Sequence, residues 1–244
     1  MEVVKHLKRL LRSAVRTVDR GVLPVRFSLN SRKPHPENVS VVGATRNSVA
    51  VHLINLASRP DRLRETNEEF ARMGIVDWSR FDAVKSADGA LGCALSHANL
   101  LGGLEGTVSA VMVCEDDIEF LVGPEELDAL LEEFLANPAL DVLCLAFNIV
   151  SRPYAVSEGL AVTTNIATTA CYVAKGRAMR LLRDSFLDSA KLIQEGKPVG
   201  VAAADQRWKK LQRRTLIFAI PRVRAARQRN SFSDIEGKEV SYGV

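Results

Sequence analysis

An alternation constrains this chain more than any other feature. Between residues 49 and 147, short apolar runs take turns with segments of helical period. "VAVHLINL" (49–56), a stretch near 78–84, "SAVMVC" (109–114) and "DVLCLAF" (141–147) read as strands. Helices are expected between them, from Ser58 to about Met73, over about 90–104 and over "PEELDALLEEFLA" (124–136). Strands that alternate with helices fold as a layered α/β domain. A chain of 244 residues accommodates one such domain and buries roughly 70–75% of its unfolded surface.

Boundary chemistry refines these elements. Ser58 with Asp61 three residues later resembles a capped helix start, and Gly74 is placed to end that helix. Asp88 is placed to cap the second, and Pro124 with Glu125 and Glu126 opens the third. Further on, "GLAVTTN" and "TACYVA" look like a pair of strands, helices are expected over 176–188 and 204–212, and "TLIFAI" (215–220) is a strand. The last 24 residues read as irregular. The domain proper spans 48–244, and 1–47 forms a basic helical extension with a linker at 28–40.

Charge is unevenly placed. The net charge is +4, yet residues 1–36 carry +7 and residues 206–229 carry +9, leaving −12 on the remainder. Such asymmetry suggests an anionic partner. In residues 1–20, Val4, Leu7, Leu11, Ala14 and Val18 make one stripe among Lys and Arg, the pattern of a helix lying on an anionic membrane surface or packed on the domain. Nucleic acid is excluded as a partner, because only Trp208 and Phe218 interleave with the basic segment. Cys93, Cys114, Cys144 and Cys171 sit among apolar neighbours with no C-x-x-C pair, so reduced thiols and no zinc-ligand spacing are expected. No apolar run follows the basic N-terminus, so a cytoplasmic location is expected, peripheral on the inner face of the cell membrane if the basic segments bind lipid.

"VMVCEDDIEFL" (111–121) carries the chemistry: an apolar strand stops abruptly at Glu115-Asp116-Asp117. In open α/β sheets, ligands bind outside the carboxyl ends of strands. Adjacent carboxylates repel, and a hard divalent cation such as Mg2+ or Mn2+ relieves that repulsion. A helix cap or a solvated acidic turn is the plain alternative.

Two more stretches accompany it. In "INLASRPDR" (54–62), Asn55 ends a strand, and Arg59 and Arg62 flank a helix start, where an anion finds free N–H groups and guanidinium forks. Surface pairing of those arginines with Asp61 and Glu65 is the alternative. In "GALGCALSHANLL" (89–101), Gly92 and Cys93 suggest close packing against another backbone. Ser96 and His97 point about 100° apart on a helix and cannot form a nucleophilic pair. A hydrogen-bonded core histidine is the reading that spacing alone favours.

Taken in order, Ile54-Asn55-Leu56, Arg59-Pro60-Asp61-Arg62, Gly92-Cys93-Ala94-Leu95-Ser96-His97 and Glu115-Asp116-Asp117 resemble glycosyltransferase family 25, the lipopolysaccharide and lipooligosaccharide sugar transferases. The likeness covers about 50–120 and continues loosely through 168–182 and 227–235. It implies a GT-A-like single domain with a central, mostly parallel sheet flanked by helices. It further implies an inverting hexosyltransferase with a UDP-sugar donor and a lipid-linked or surface glycan acceptor. By the same resemblance Asp117 would ligate Mn2+ (or Mg2+). Asn55, Arg59, Arg62, Ser96, His97, Glu115 and Asp116 would bind the donor, and Asp205 would be the base, unless it is an ordinary helix cap.

The chain departs from the pattern in two places. Related metal-dependent transferases bring a C-terminal histidine to the metal, whereas the histidines here are His6, His35, His52 and His97. Asp234 or a water is the expected substitute, or else a weakly held metal. The long N-terminal extension is also unlike relatives that begin at their first strand. A metal-dependent phosphohydrolase, or a non-catalytic relative that binds sugar nucleotide or membrane, would use the same acids.

Overall fold

The computed structural model describes residues 22–31, 46–149, 151–229, 231–233 and 238–240. The amphipathic stretch 1–20 and Asp234 lie outside the described residues. Helix α1 (22–31) precedes β1 (Ala50–Asn55), α2 (Pro60–Arg72), β2 (Trp78–Asp82), α3 (Gly89–Leu104), β3 (Ala110–Glu115) and β4 (Ile118–Phe120). Then come α4 (Pro124–Ala136), β5 (Val142–Cys144), β6 (Asn148–Ile149), β7 (Tyr154–Ala155), β8 (Leu160–Val162) and β9 (Ile166–Ala167). The rest comprises β10 (Cys171–Lys175), α5 (Gly176–Gln194), three short helices α6 (Val199–Ala202), α7 (Ala204–Arg207) and α8 (Lys209–Arg214), and the strands β11 (Phe218–Pro221), β12 (Ala226–Gln228), β13 (Ser231–Ser233) and β14 (Lys238–Val240).

Eight strands form the central sheet in the order β2-β1-β3-β10-β5-β11-β8-β7. Six run in one direction, and β8 and β10 run against them. The expected α/β layering with a mostly parallel sheet is therefore present. Strand β3 shows why it forms. Its successive side chains enter opposite faces: Met112 and Cys114 pack with Phe70 of α2 and Leu127 and Leu131 of α4. Val111 and Val113 pack with Ala98 and Leu101 of α3 and Met179 and Phe186 of α5. Burial of each large apolar side chain contributes roughly 1.5–3 kcal/mol before chain entropy is counted.

This topology brings the future site together. Strands β1 and β3 are parallel neighbours with Ile54 opposite Glu115, so both carboxyl ends open at one edge. Strand β10 lies antiparallel on the other side of β3, and Glu115 N–H donates to Ala170 O at 2.8 Å. That pairing delivers the 168–170 turn to the same edge.

Asp88 does cap α3, accepting from the Ala90 and Leu91 N–H groups, and Gly74 follows α2 with φ +62°. Other expectations need correction. The N-cap of α2 is Arg59, with no side-chain cap bond, so Ser58 does not cap it. Residues 28–31, taken as linker, belong to α1. The helix expected over 204–212 is divided into α7 and α8. "GLAVTTN" and "TACYVA" do supply β8 and β10, but these strands do not pair with each other. The tail is not wholly irregular, since β12 pairs with β4, matching Gln228 to Ile118 and Arg227 to Glu119. No described helix is long and apolar enough to cross a membrane.

Candidate functional site

A cavity of about 330 Å³ opens at the carboxyl ends of β1 and β3, with Arg62, His97, Glu115, Asp116, Asp117 and Gln228 on its wall. Its volume lies at the lower end of the range for small-molecule sites. The three adjacent acids divide their work because the turn after β3 points them differently.

Asp116 is held by the protein. Asn55 Nδ2 donates to its Oδ2 at 2.8 Å and Arg62 Nη1 donates to its Oδ1 at 2.7 Å. Its carbonyl accepts from Thr66 Oγ1 and Arg229 Nη2, both at 2.9 Å. Asn55 is itself fixed, since its Oδ1 accepts from Arg80 Nε at 3.1 Å. Glu115 accepts from Thr169 Oγ1 at 2.6 Å, and the same oxygen lies 3.1 Å from His97 Nε2. Burial opposes its ionisation, but His97, Thr169 and Arg62 together hold its carboxyl below the usual carboxylate range.

Asp117 is different. It is buried, and its Oδ1 has no hydrogen-bond partner among the described residues. Its Oδ2 has only long contacts, 3.4 Å from Gln228 Nε2 and 3.6 Å from Arg62 Nη1. Burial, with Glu115 nearby, raises its pKa to about 7 against the pull of Arg62. A buried carboxylate oxygen without a partner is costly, and a divalent cation resolves both the missing contact and the charge. The donor set therefore fits Mn2+ or Mg2+ at Asp117.

The remaining predicted residues fall as follows. His97 is buried in α3, with Nδ1 3.1 Å from Tyr172 Oη, so it is a hydrogen-bonded histidine that also faces the cavity. Ser96 Oγ donates to Gly92 O at 2.6 Å and accepts from Val84 N–H at 2.8 Å. A Cβ at Gly92 would stand 2.6 Å from Val84 O, so glycine is what permits this close packing. Arg59 pairs with Asp61 at 2.8 Å and is not on the cavity wall. Asp205 is also off the wall. Its Oδ2 accepts from Thr168 N–H at 3.2 Å, Thr168 Oγ1 donates to Gln228 Oε1 at 2.9 Å, and Gln228 reaches Asp117.

Sequence reasoning missed Thr66, Thr169, Tyr172 and Gln228. Thr66 lies in no motif, Thr169, Tyr172 and Gln228 lie in the loosely matching stretches 168–182 and 227–235 without being singled out there, and the topology gathers all four. Among the described residues, three of the nine cations in the basic segment form ion pairs within the chain: Arg207 with Asp188, Arg227 with Glu119 and Arg229 with Glu65.

No family model and no curated relative matches the chain. Among solved structures, a mannosyltransferase from Pyrobaculum calidifontis in complex with GDP-Man and Mn2+ aligns over 93% of this chain and 69% of its own, with 13% identity and a TM-score of 0.46. A glycosyltransferase involved in glycosylation of the major capsid of PBCV-1 aligns over 71% and 92%, with 9% identity and a TM-score of 0.40. A197 from STIV aligns over 70% and 81%, with 10% identity and a TM-score of 0.38.

Proposed function

We propose that this protein is a metal-assisted, inverting glycosyltransferase of the family 25 type with a GT-A-like domain. It moves a hexose, galactose or glucose, from a UDP-sugar to a hydroxyl of a surface glycan or lipid-linked acceptor. The observation that carries this reading is the partnerless buried oxygen of Asp117 beside a braced Asp116, at the strand edge where the motif set converges.

In this reading Asp117 holds Mn2+ or Mg2+, which when bound neutralises the charge that grows on the departing UDP. Asn55 and Arg62 keep Asp116 in place, and Arg62, Ser96, His97 and Glu115 orient the donor. Arg59 acts at the helix start beside them. The acceptor oxygen attacks the anomeric carbon, the bond from that carbon to the phosphate oxygen breaks, and UDP leaves with the electron pair. The hydroxyl proton passes to Asp205, giving one displacement with inversion. The hydrogen-bonded path from Asp205 through Thr168 and Gln228 to Asp117 supports that assignment. Attachment to an anionic membrane through residues 1–20 would bring the enzyme to a lipid-linked acceptor.

The test is UDP release from a panel of UDP-sugars with Mn2+ and then with EDTA. Release from one donor that EDTA abolishes is the expected result. Release of inorganic phosphate or pyrophosphate in place of UDP would move the protein to the phosphohydrolases. Absence of both turnover and UDP binding by calorimetry would overturn the reading.

A further inference from the structure

Cys93 and His97 stand four residues apart on α3, so their side chains share one helix face. Cys93 Sγ, a ring nitrogen of His97 and a carboxylate oxygen of Glu115 all lie within 4.8 Å of one another. Cys93 is half-buried on the cavity wall, whereas Cys114, Cys144 and Cys171 are buried in the sheet. Packing explains those three thiols and leaves Cys93 without a role.

We infer that Cys93, His97 and Glu115 form a binding site for a thiolate-preferring divalent cation, Zn2+ before all others, separate from the Asp117 oxygen. A sulfur, an imidazole nitrogen and a single carboxylate suit Zn2+, whereas Mg2+ and Mn2+ favour oxygen. Three protein ligands leave the fourth position open to the cavity, as in zinc sites that take a water or a ligand.

The supporting contacts are already in place. Tyr172 Oη lies 3.1 Å from His97 Nδ1, so it would accept from Nδ1–H once Nε2 coordinates the metal. Thr169 Oγ1 donates to Glu115 Oε1 and fixes the carboxylate. Tetrahedral coordination at bond lengths of about 2.0–2.3 Å needs donor atoms about 3.3–3.7 Å apart. His97 and Glu115 are at 3.1 Å already, and Cys93 Sγ lies within 4.8 Å of both donor atoms. Binding releases the thiol proton, so affinity rises with pH. The linear sequence conceals this site, because Glu115 sits on a strand 18 residues beyond His97 and 22 beyond Cys93.

The inference does not depend on glycosyl transfer, and its test uses no sugar nucleotide. The metal-free full chain is titrated with Co2+ as a spectroscopic stand-in for Zn2+. A tetrahedral d–d spectrum with a thiolate-to-cobalt charge-transfer band is expected, competed away by one equivalent of Zn2+. Cys93→Ser should remove the charge-transfer band, with circular dichroism confirming its fold. X-ray absorption of the Zn2+-loaded wild type provides a variant-free readout, with one sulfur at about 2.3 Å expected. A charge-transfer band that survives in Cys93→Ser, or a zinc shell of nitrogen and oxygen alone, overturns the inference. Mn2+ binding lost in Asp117→Ala with the cobalt spectrum retained distinguishes this site from the Asp117 metal position in the same cavity.

Discussion

Arg62 Nη1 donates to Asp116 Oδ1 at 2.7 Å, with only 11% and 10% of the two side chains exposed. Burial disfavours the charged guanidinium, yet Asp116 and Asp117 raise its pKa above the ordinary arginine value. The pair sets the geometry of the acidic turn, because Asp116 is the one acid that the protein itself fully engages.

Breaking a buried pair from one side leaves the other charge uncompensated, at about 3–5 kcal/mol. Asn55 still donates to Asp116, so Arg62→Met should cost about 2–4 kcal/mol. Adding Asp116→Asn should recover at least half of that loss. Urea unfolding of the two single variants and the double variant measures this coupling. Strict additivity would show that the pair does not brace the turn.

Asp117 should make the metal-free protein sensitive to pH. Its folded pKa is raised to about 7, whereas an unfolded aspartate titrates near 3.9. Between those values the folded chain keeps a proton that the unfolded chain has lost. The associated stability is complete below about pH 4 and is lost as pH rises through about 7, on the order of 2–4 kcal/mol. Asp117→Asn lacks this dependence. In EDTA, its melting temperature relative to wild type should climb steadily from about pH 4.5 to about pH 8. A difference that stays constant with pH contradicts the assignment.

The layering was legible in the sequence because β3 is apolar on both faces and α4 carries its proline start and acidic first turn at the expected positions. The acidic motif was legible for a related reason: an apolar strand that stops at three adjacent carboxylates juxtaposes burial and like-charge repulsion. The tail was not, because β12 is three residues long and pairs with a strand more than 100 residues earlier. Periodicity has no purchase on so short a segment. The cap at Ser58 misled because Asn55, anchored to Asp116 and Arg80, donates from Nδ2 to Arg59 O across the turn.

That docked tail gives a third prediction. Arg229 N–H donates to Asp117 O at 2.7 Å, and its guanidinium donates to Asp116 O at 2.9 Å. Arg229→Ala keeps the backbone bond and removes one partner of the buried Asp116 carbonyl, a loss of about 1–3 kcal/mol. Amide exchange should accelerate over 115–118 and 226–229 together. Acceleration in the tail alone would show that the tail does not hold the acidic turn.

Asp205 offers the sharpest contrast between chemistry and support. Its Oδ2 accepts from Thr168 N–H at 3.2 Å, and Thr168 sits at φ +71°, a conformation that a β-branched residue adopts only when its surroundings impose it. Asn at this position can still accept from Thr168 but cannot take a proton from an acceptor hydroxyl. Asp205→Asn should therefore retain stability and Mn2+ affinity while kcat falls by about a hundredfold or more. Asp205→Ala should lose stability as well, and a second variant, Thr168→Gly, should relieve the strain without touching the carboxylate. If Asp205→Asn turns over at nearly the wild-type rate while Asp205→Ala weakens Mn2+ binding, the carboxylate only positions Thr168 and Gln228. The base is then another residue, to be sought on the cavity wall itself.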